Sequence, residues 1–202
     1  MECVRVIIIR HGKTKWNEIH KYLGSTDLPL SEMGRGQART LFDTHTLPKP
    51  DVLFVSPKIR CRETAQILFP GIEQVVVDDL REVDFGVFEG RSHTEMRENP
   101  VYQAWVKTNC QGPIPGGESF PDSYARVIPA FTAALKQVPE DQLAVFVLHG
   151  GTIMNIIRGF VDNLSGDLLI DNCSPLICDW DGSRLTILND FVPQTGGQFP
   201  TE

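Results

Sequence analysis

Arg10-His11-Gly12 and His149-Gly150-Gly151 share a setting. Each histidine closes a run of apolar, largely β-branched residues, His149 directly and His11 after Arg10, and each is followed by glycine. Glycine lets a ligand approach the backbone. Histidine changes charge near neutrality, so it can serve as base, donor or nucleophile. Arg60 follows Ser56-Pro57, which closes another apolar run, and Glu82 lies further along. The planar forks of Arg10 and Arg60 can grip the oxygens of a phosphate bidentately. Two cations beside an imidazole also disfavour its protonation, which would keep His11 neutral and nucleophilic. Taken singly, each residue has a plain structural use. Arg10 and Arg60 could be surface cations, Glu82 a solvated acid, Asn17 a helix cap and Gly24 a turn former. Two histidines at equivalent positions tilt the balance toward a site.

The elements that must position these residues can be read from hydrophobic patterning. Residues 3–9, Cys-Val-Arg-Val-Ile-Ile-Ile, predict a strand buried on both faces. Residues 52–55 and 144–148 repeat that character, and 75–77 is a shorter strand. Between them the spacing predicts helices. One runs from a cap at Ser31 toward Phe42. A second spans 58–69, with Cys61, Thr64, Ala65 and Leu68 on one face and Pro70-Gly71 as the stop. A third spans 120–138, with a kink expected at Pro129. A fourth spans 152–164 and carries Ile153, Ile156, Ile157, Phe160 and Leu164. Two final strands, 175–180 and 184–189, flank the hairpin signal Asp181-Gly182-Ser183. Strands alternating with helices predict the α/β class, as a three-layer α/β/α sandwich with a mostly parallel sheet and an antiparallel edge. Ligands in such sheets sit beyond the carboxyl ends of the strands, where both histidines fall.

The surrounding residues extend the pattern. Arg10-His11-Gly12-x-Thr14-x-Trp16-Asn17 is followed by Gly24-x-x-Asp27-x-Pro29-Leu30-Ser31-x-x-Gly34-x-x-Gln37-Ala38. Then come Ser56-Pro57-x-x-Arg60-x-x-x-Thr64-Ala65, Leu80-x-Glu82-x-x-Phe85-Gly86-x-x-Glu89-Gly90 and His149-Gly150-Gly151. In these blocks, in this order, the chain resembles the histidine phosphatase superfamily, which includes cofactor-dependent phosphoglycerate mutases. The resemblance implies a phosphoglycerate mutase-like fold over residues 1–202 as one domain, with a substrate cap at about 84–122. It implies that His11 attacks phosphorus to form a phosphohistidine and that Arg10 and Arg60 hold the phosphoryl oxygens. It further implies hydrogen bonds from His149 and Asn17 to the transferring group, and backbone approach at Gly24 and Gly150. Glu82 would protonate the leaving alcohol and then take a proton from water. No metal and no other cofactor is implied. Gln37, Ala38, Thr64 and Ala65 match the family but are expected to hold helices in place. Two positions depart from the pattern: Lys13, where Glu is common, and Met154, where Arg is common.

Mutases of the family are generally longer than 202 residues, so hydrolysis is expected over transfer. The stretch through Asp84-Phe85-Gly86, Glu89-Gly90-Arg91, Tyr102-x-x-Trp105 and Pro115-Gly116-Gly117-Glu118-Ser119-Phe120 resembles α-ribazole phosphatases, which act in cobalamin nucleotide-loop assembly. The expected function is therefore a metal-independent phosphomonoester hydrolase, with α-ribazole 5′-phosphate as substrate. The alternatives are a broad-specificity phosphatase, a cofactor-dependent phosphoglycerate mutase, or a non-enzymatic phosphate-binding regulator. Whether Lys13, Lys15, Tyr102 or Trp105 reaches a substrate stays open at this level.

Other readings fall away. Cys178 and Arg184 have the C-x5-R spacing of a phosphate loop, and Asp179-Trp180-Asp181-Gly182-Ser183 imitates a phosphatase nucleophile motif. Both lie on the hairpin, and only 23 residues follow Asp179. Five scattered cysteines without a C-x-x-C give no metal or disulfide framework. Residues 1–39 carry seven bases and four acids, yet the chain as a whole stands at −7. A nucleic-acid partner is therefore not expected. Nor is a membrane, since no apolar run approaches the ~18 residues of a span. The early charges at Glu2 and Arg5 do not suit a signal peptide, so a cytoplasmic location is expected. The expected partner is a small phosphate monoester, and a homodimer stays open.

Overall fold

A computed structural model describes residues 3–44, 46–162 and 170–189. Six strands form one sheet in the order β3-β2-β4-β1-β5-β6. They are β1 (Val4–Arg10), β2 (Val52–Val55), β3 (Gln74–Val76), β4 (Leu143–Leu148), β5 (Pro175–Trp180) and β6 (Leu185–Ile187). β3, β2, β4 and β1 run parallel, while β5 and β6 close one edge antiparallel. Asp181-Gly182-Ser183 makes the final turn, as expected, and Asp181 Oδ1 accepts from the N–H groups of Ser183 and Arg184.

β1 is apolar at every position but its second and last because it is covered on both faces. Val4, Val6 and Ile8 pack on one side with Phe54 and Phe146. There they meet α6 (Phe120–Leu135) through Val127, Phe131 and Leu135, and α7 (Gly150–Phe160) through Ile153, Ile156 and Ile157. Ile7 and Ile9 point the other way. Their partners are Ala38 of α2 (Glu32–Asp43) and Cys61, Ala65 and Leu68 of α3 (Ile59–Leu68). The period-two alternation of a strand thus divides one continuous run between two cores, and the three-layer sandwich follows. Among the described residues no helix is long and apolar enough to cross a membrane.

A third apolar cluster stands apart. It joins Val83, Phe85 and Phe88 to Met96 of α4 (His93–Met96), Tyr102 and Trp105 of α5 (Pro100–Lys107), and Cys110, Ile114 and Phe120. Tyr22 and Met154 pack against it. A short first helix, α1 (Lys15–Glu18), completes the order.

Element boundaries moved slightly. α6 ends at Leu135, three residues before the expected end, and runs through Pro129 without a break. Proline removes one helix hydrogen bond, but packing on both sides of it holds the helix. α7 starts at Gly150, two residues early, because a carboxylate from another segment caps it. Leu164, expected on its stripe, lies outside the described residues.

Candidate active site

The register of the sheet brings the two histidines together. Arg10 of β1 pairs with Leu148 of β4, so the next residue of each strand leaves the sheet at the same level. Those residues are His11 and His149, both buried, with ring centroids 5.2 Å apart at 66°. His11 Nδ1 lies 2.7 Å from the carbonyl oxygen of Gly12. A carbonyl can only accept, so Nδ1 is assigned the ring proton and Nε2 the lone pair. Burial, and then the Arg60 and Arg10 guanidiniums, hold the pKa of His11 well below the ordinary 6.5. Burial and Arg60 act on His149 in the same direction.

Arg60 is fully buried near the N-terminal end of α3. Its Nε donates to His149 Nδ1 at 3.2 Å, Nη1 to the Thr26 carbonyl at 2.9 Å and Nη2 to the Gly24 carbonyl at 2.9 Å. With Nδ1 accepting, His149 carries its proton on Nε2, which donates to Ser56 Oγ at 2.6 Å. The proton expected to meet a transferring group is therefore held by Ser56. The Gly24–Thr26 turn is itself fixed by Glu89, whose carboxylate accepts from the N–H and hydroxyl of both Ser25 and Thr26.

Arg10 donates from Nη1 to the Ile170 carbonyl at 2.8 Å. Its Nε is shut off from solvent and has no partner among the described residues. A Cβ on Gly150 would sit 3.4 Å from that nitrogen and 3.3 Å from Cζ. Gly150 therefore leaves room for the guanidinium.

Glu82 is almost fully buried and lies against the start of α7. Oε1 accepts from the N–H groups of Val83 and Thr152, each at 3.0 Å, and Oε2 from that of Gly151, also at 3.0 Å. The first turn of a helix presents unpaired N–H groups and a positive dipole end, and here a carboxylate satisfies them. A Cβ on Gly151 would come within 2.6 Å of Oε1. Neutral imidazoles, guanidiniums and one carboxylate at a sheet edge can bind an oxyanion, supply a nucleophilic nitrogen and move a proton.

Expected site residues outside this centre look different. Asn17 closes the capping box of α1, with its Oδ1 accepting from the N–H and hydroxyl of Thr14. That was its structural alternative, and it commits the oxygen and not the amide nitrogen. Gly24 offers its carbonyl to Arg60, and it is glycine because a Cβ would lie 1.9 Å from the Val83 carbonyl. Lys15 is exposed and pairs with Glu18 at 3.4 Å. Tyr102 and Trp105 are 1% and 3% exposed, so they pack and present no open face to a base. Trp16 packs on Gly90.

Five contributors carry no site role at the level of sequence. Ser56 had been placed at a strand end without a partner. Thr64 was expected only to steady a helix, yet its hydroxyl accepts from the Gly12 N–H at 3.0 Å and donates to the Arg60 carbonyl at 2.7 Å. Its offset of four from Arg60 on a helix was the available signal. Thr152 supplies one of the N–H groups at Glu82. Asn172 donates to the His11 carbonyl at 2.6 Å, and the Cys173 N–H donates to the Arg10 carbonyl at 2.8 Å. No periodicity marks that turn.

The model of the histidine phosphatase superfamily (branch 1) matches residues 6–190. A Proteus mirabilis protein named "Probable phosphoglycerate mutase GpmB" is 30% identical over 96% of this chain and 93% of its own length. A Salmonella typhimurium protein named "Adenosylcobalamin/alpha-ribazole phosphatase" is 32% identical over 76% of this chain and 78% of its own. Among solved structures, a phosphoglycerate mutase from Thermus thermophilus superposes with a TM-score of 0.70 at 31% identity, covering 92% of this chain and 99% of the other.

Proposed function

The chain belongs to the histidine phosphatase superfamily, and on that premise we propose that it is a phosphomonoester hydrolase working through a phosphohistidine on His11. The observation that carries the reading is the hydrogen bond from His11 Nδ1 to Gly12, which leaves the Nε2 lone pair as the nucleophile beside two guanidiniums. Arg10 and Arg60 hold the phosphoryl oxygens, and the Nε of Arg10, unpartnered among the described residues, gains an acceptor. The His11 lone pair forms the N–P bond as the bond from phosphorus to the ester oxygen breaks. A protonated Glu82 hands its proton to that departing oxygen, leaving an alcohol. Oε2, which accepts one N–H where Oε1 accepts two, is the oxygen that carries this proton. In the second half Glu82, now a carboxylate, takes a proton from water. The water oxygen then displaces His11 from phosphorus, and inorganic phosphate leaves. His149 turns its Nε2–H from Ser56 to a phosphoryl oxygen. None of these steps calls for a metal ion.

The proposed substrate is α-ribazole 5′-phosphate. Support comes from the similarity to the Salmonella protein and from the motifs between Asp84 and Phe120. The buried Tyr102 and Trp105 add nothing to it. Phosphoglycerate transfer is the second reading, favoured by the Proteus relative. Chain length does not separate the two, because that relative is matched over 93% of its length. The test is kcat/KM, with EDTA present, for α-ribazole 5′-phosphate, a sugar phosphate, 3-phosphoglycerate and p-nitrophenyl phosphate. We expect α-ribazole 5′-phosphate to lead. Isomerisation of 3-phosphoglycerate to 2-phosphoglycerate at an equal or better rate would move the chain to the mutases. No hydrolysis of any ester by folded protein would favour a phosphate-binding regulator.

A further inference from the structure

We infer that the ion pair between Glu118 and Arg126 is a positioning device for Glu82, an inference that rests on Glu82 being the proton donor. Arg126 lies on α6, and Glu118 stands one residue before Ser119, the cap of that helix. The guanidinium grips the carboxylate with two bonds, Nε at 2.9 Å and Nη2 at 2.6 Å, and both side chains are largely buried. Its third edge reaches backbone: Nη1 donates to the Asp79 carbonyl at 2.6 Å and to the Arg81 carbonyl at 3.1 Å. The Arg81 carbonyl also accepts from Thr152 Oγ1 at 3.0 Å. On the far side of Glu82, the Glu118 N–H donates to the Asp84 carbonyl at 2.9 Å. The guanidinium of the pair therefore holds the chain immediately before Glu82, and the backbone of its carboxylate partner is tied to the chain two residues after it.

A buried ion pair kept for stability alone has a weak rationale, since apolar packing often serves as well. Here the guanidinium does something an apolar side chain cannot: it satisfies two carbonyls of the segment that carries the acid. Among the described hydrogen bonds and ion pairs, neither residue joins Arg10, His11, Arg60 or His149. Breaking the pair should therefore displace the acid and leave the phosphate pocket intact. Displacements of about an ångström can cost ~10²-fold in rate.

The test compares a poor leaving group with a good one. An alkyl phosphate needs a proton on its departing oxygen, whereas p-nitrophenolate leaves unaided. kcat/KM, which reports the first step, is measured on both esters for Arg126→Met, Arg126→Lys, Glu118→Gln and Glu82→Gln, together with inhibition by inorganic phosphate. Arg126→Met should lose about tenfold more on the alkyl ester than on p-nitrophenyl phosphate, a part of the 10²–10⁴-fold worth of a positioned acid. Arg126→Lys should recover some of that loss, and phosphate should inhibit as in the parent protein. Equal losses on both esters, or weaker phosphate inhibition, with Glu82→Gln still selective, would overturn the positioning role and leave the acid assignment standing. No selectivity in Glu82→Gln itself would overturn both. If Arg126→Met does not fold, Arg126→Lys and Glu118→Gln, which conserve side-chain size, decide the question by the same comparison.

Discussion

A histidine attacks phosphorus only while its ring is neutral. Burial and two neighbouring guanidiniums keep His11 in that form below pH 6.5. Five residues of the centre, Arg10, His11, Arg60, Glu82 and His149, were legible in the sequence because their types and motif spacing are distinctive. Their hydrogen-bond partners were not. Ser56, Thr64 and Asn172 act through one or two bonds each to a ring nitrogen or backbone, and short polar residues in turns and helices have too many other uses to stand out. Glu82 has two proposed jobs, and Glu82→Gln separates them. The amide keeps the size of the side chain but can neither give the proton to an alcohol nor take one from water. On p-nitrophenyl phosphate the variant should release a burst of nitrophenolate and then turn over slowly. On an alkyl phosphate it should lose roughly 10²–10⁴-fold in the first step. Stopped-flow absorbance and product analysis would show both effects. An equal loss on the two esters without a burst would assign the acid role to another group.

Strand ends and helix starts convert these residues into a site. The parallel register of β1 and β4 fixes the level of both histidines, and nearly continuous apolar runs announced those strands and that sheet. The start of α7 was harder to place, because its cap is Glu82, which is distant in sequence and contributes to no local pattern. The two glycines that open α7 do different work. A methyl at Gly150 would press on the Arg10 guanidinium from 3.3 Å, and one at Gly151 would lie 2.6 Å from Glu82 Oε1. Gly150→Ala should therefore weaken inhibition by inorganic phosphate. Gly151→Ala should leave that inhibition intact and cost roughly tenfold to 10²-fold in kcat/KM on alkyl esters, the scale of a misplaced catalytic group. Phosphate Ki and kcat/KM for the two variants check this, and identical profiles would mean that the glycines serve only the backbone.

At the scale of the whole molecule, neutral buried imidazoles make stability depend on pH. The unfolded chain binds protons on His11 and His149 at the ordinary 6.5, while the folded chain resists them because both pKa values lie well below that. The unfolded state thus gains protons first as pH falls, so stability is full above about 6.5 and is lost below it. Carboxylates act lower. At Glu89 hydrogen bonds from Thr26 and Ser25 outweigh the upward push of burial and hold the group below 4.5. Urea melts should accordingly weaken between pH 7 and 5, before the carboxylates titrate, and His11→Asn should weaken less steeply. A flat profile in the parent protein would mean that the buried rings accept protons freely. The sandwich itself was legible from alternating strands and helices. The third apolar cluster was less so, because Tyr102 and Trp105 offer the same sequence signal whether they meet a ligand or one another. All of this converges on a phosphoryl group bound to His11. Rapid mixing with ³²P-labelled p-nitrophenyl phosphate, followed by a quench and peptide mapping, measures it directly. The label should appear on His11 as an acid-labile, alkali-stable histidine phosphate, pass to inorganic phosphate at least as fast as turnover, accumulate in Glu82→Gln and be absent from His11→Ala. Label persisting in His11→Ala, or turnover with no protein-bound phosphate even in Glu82→Gln, would contradict the mechanism.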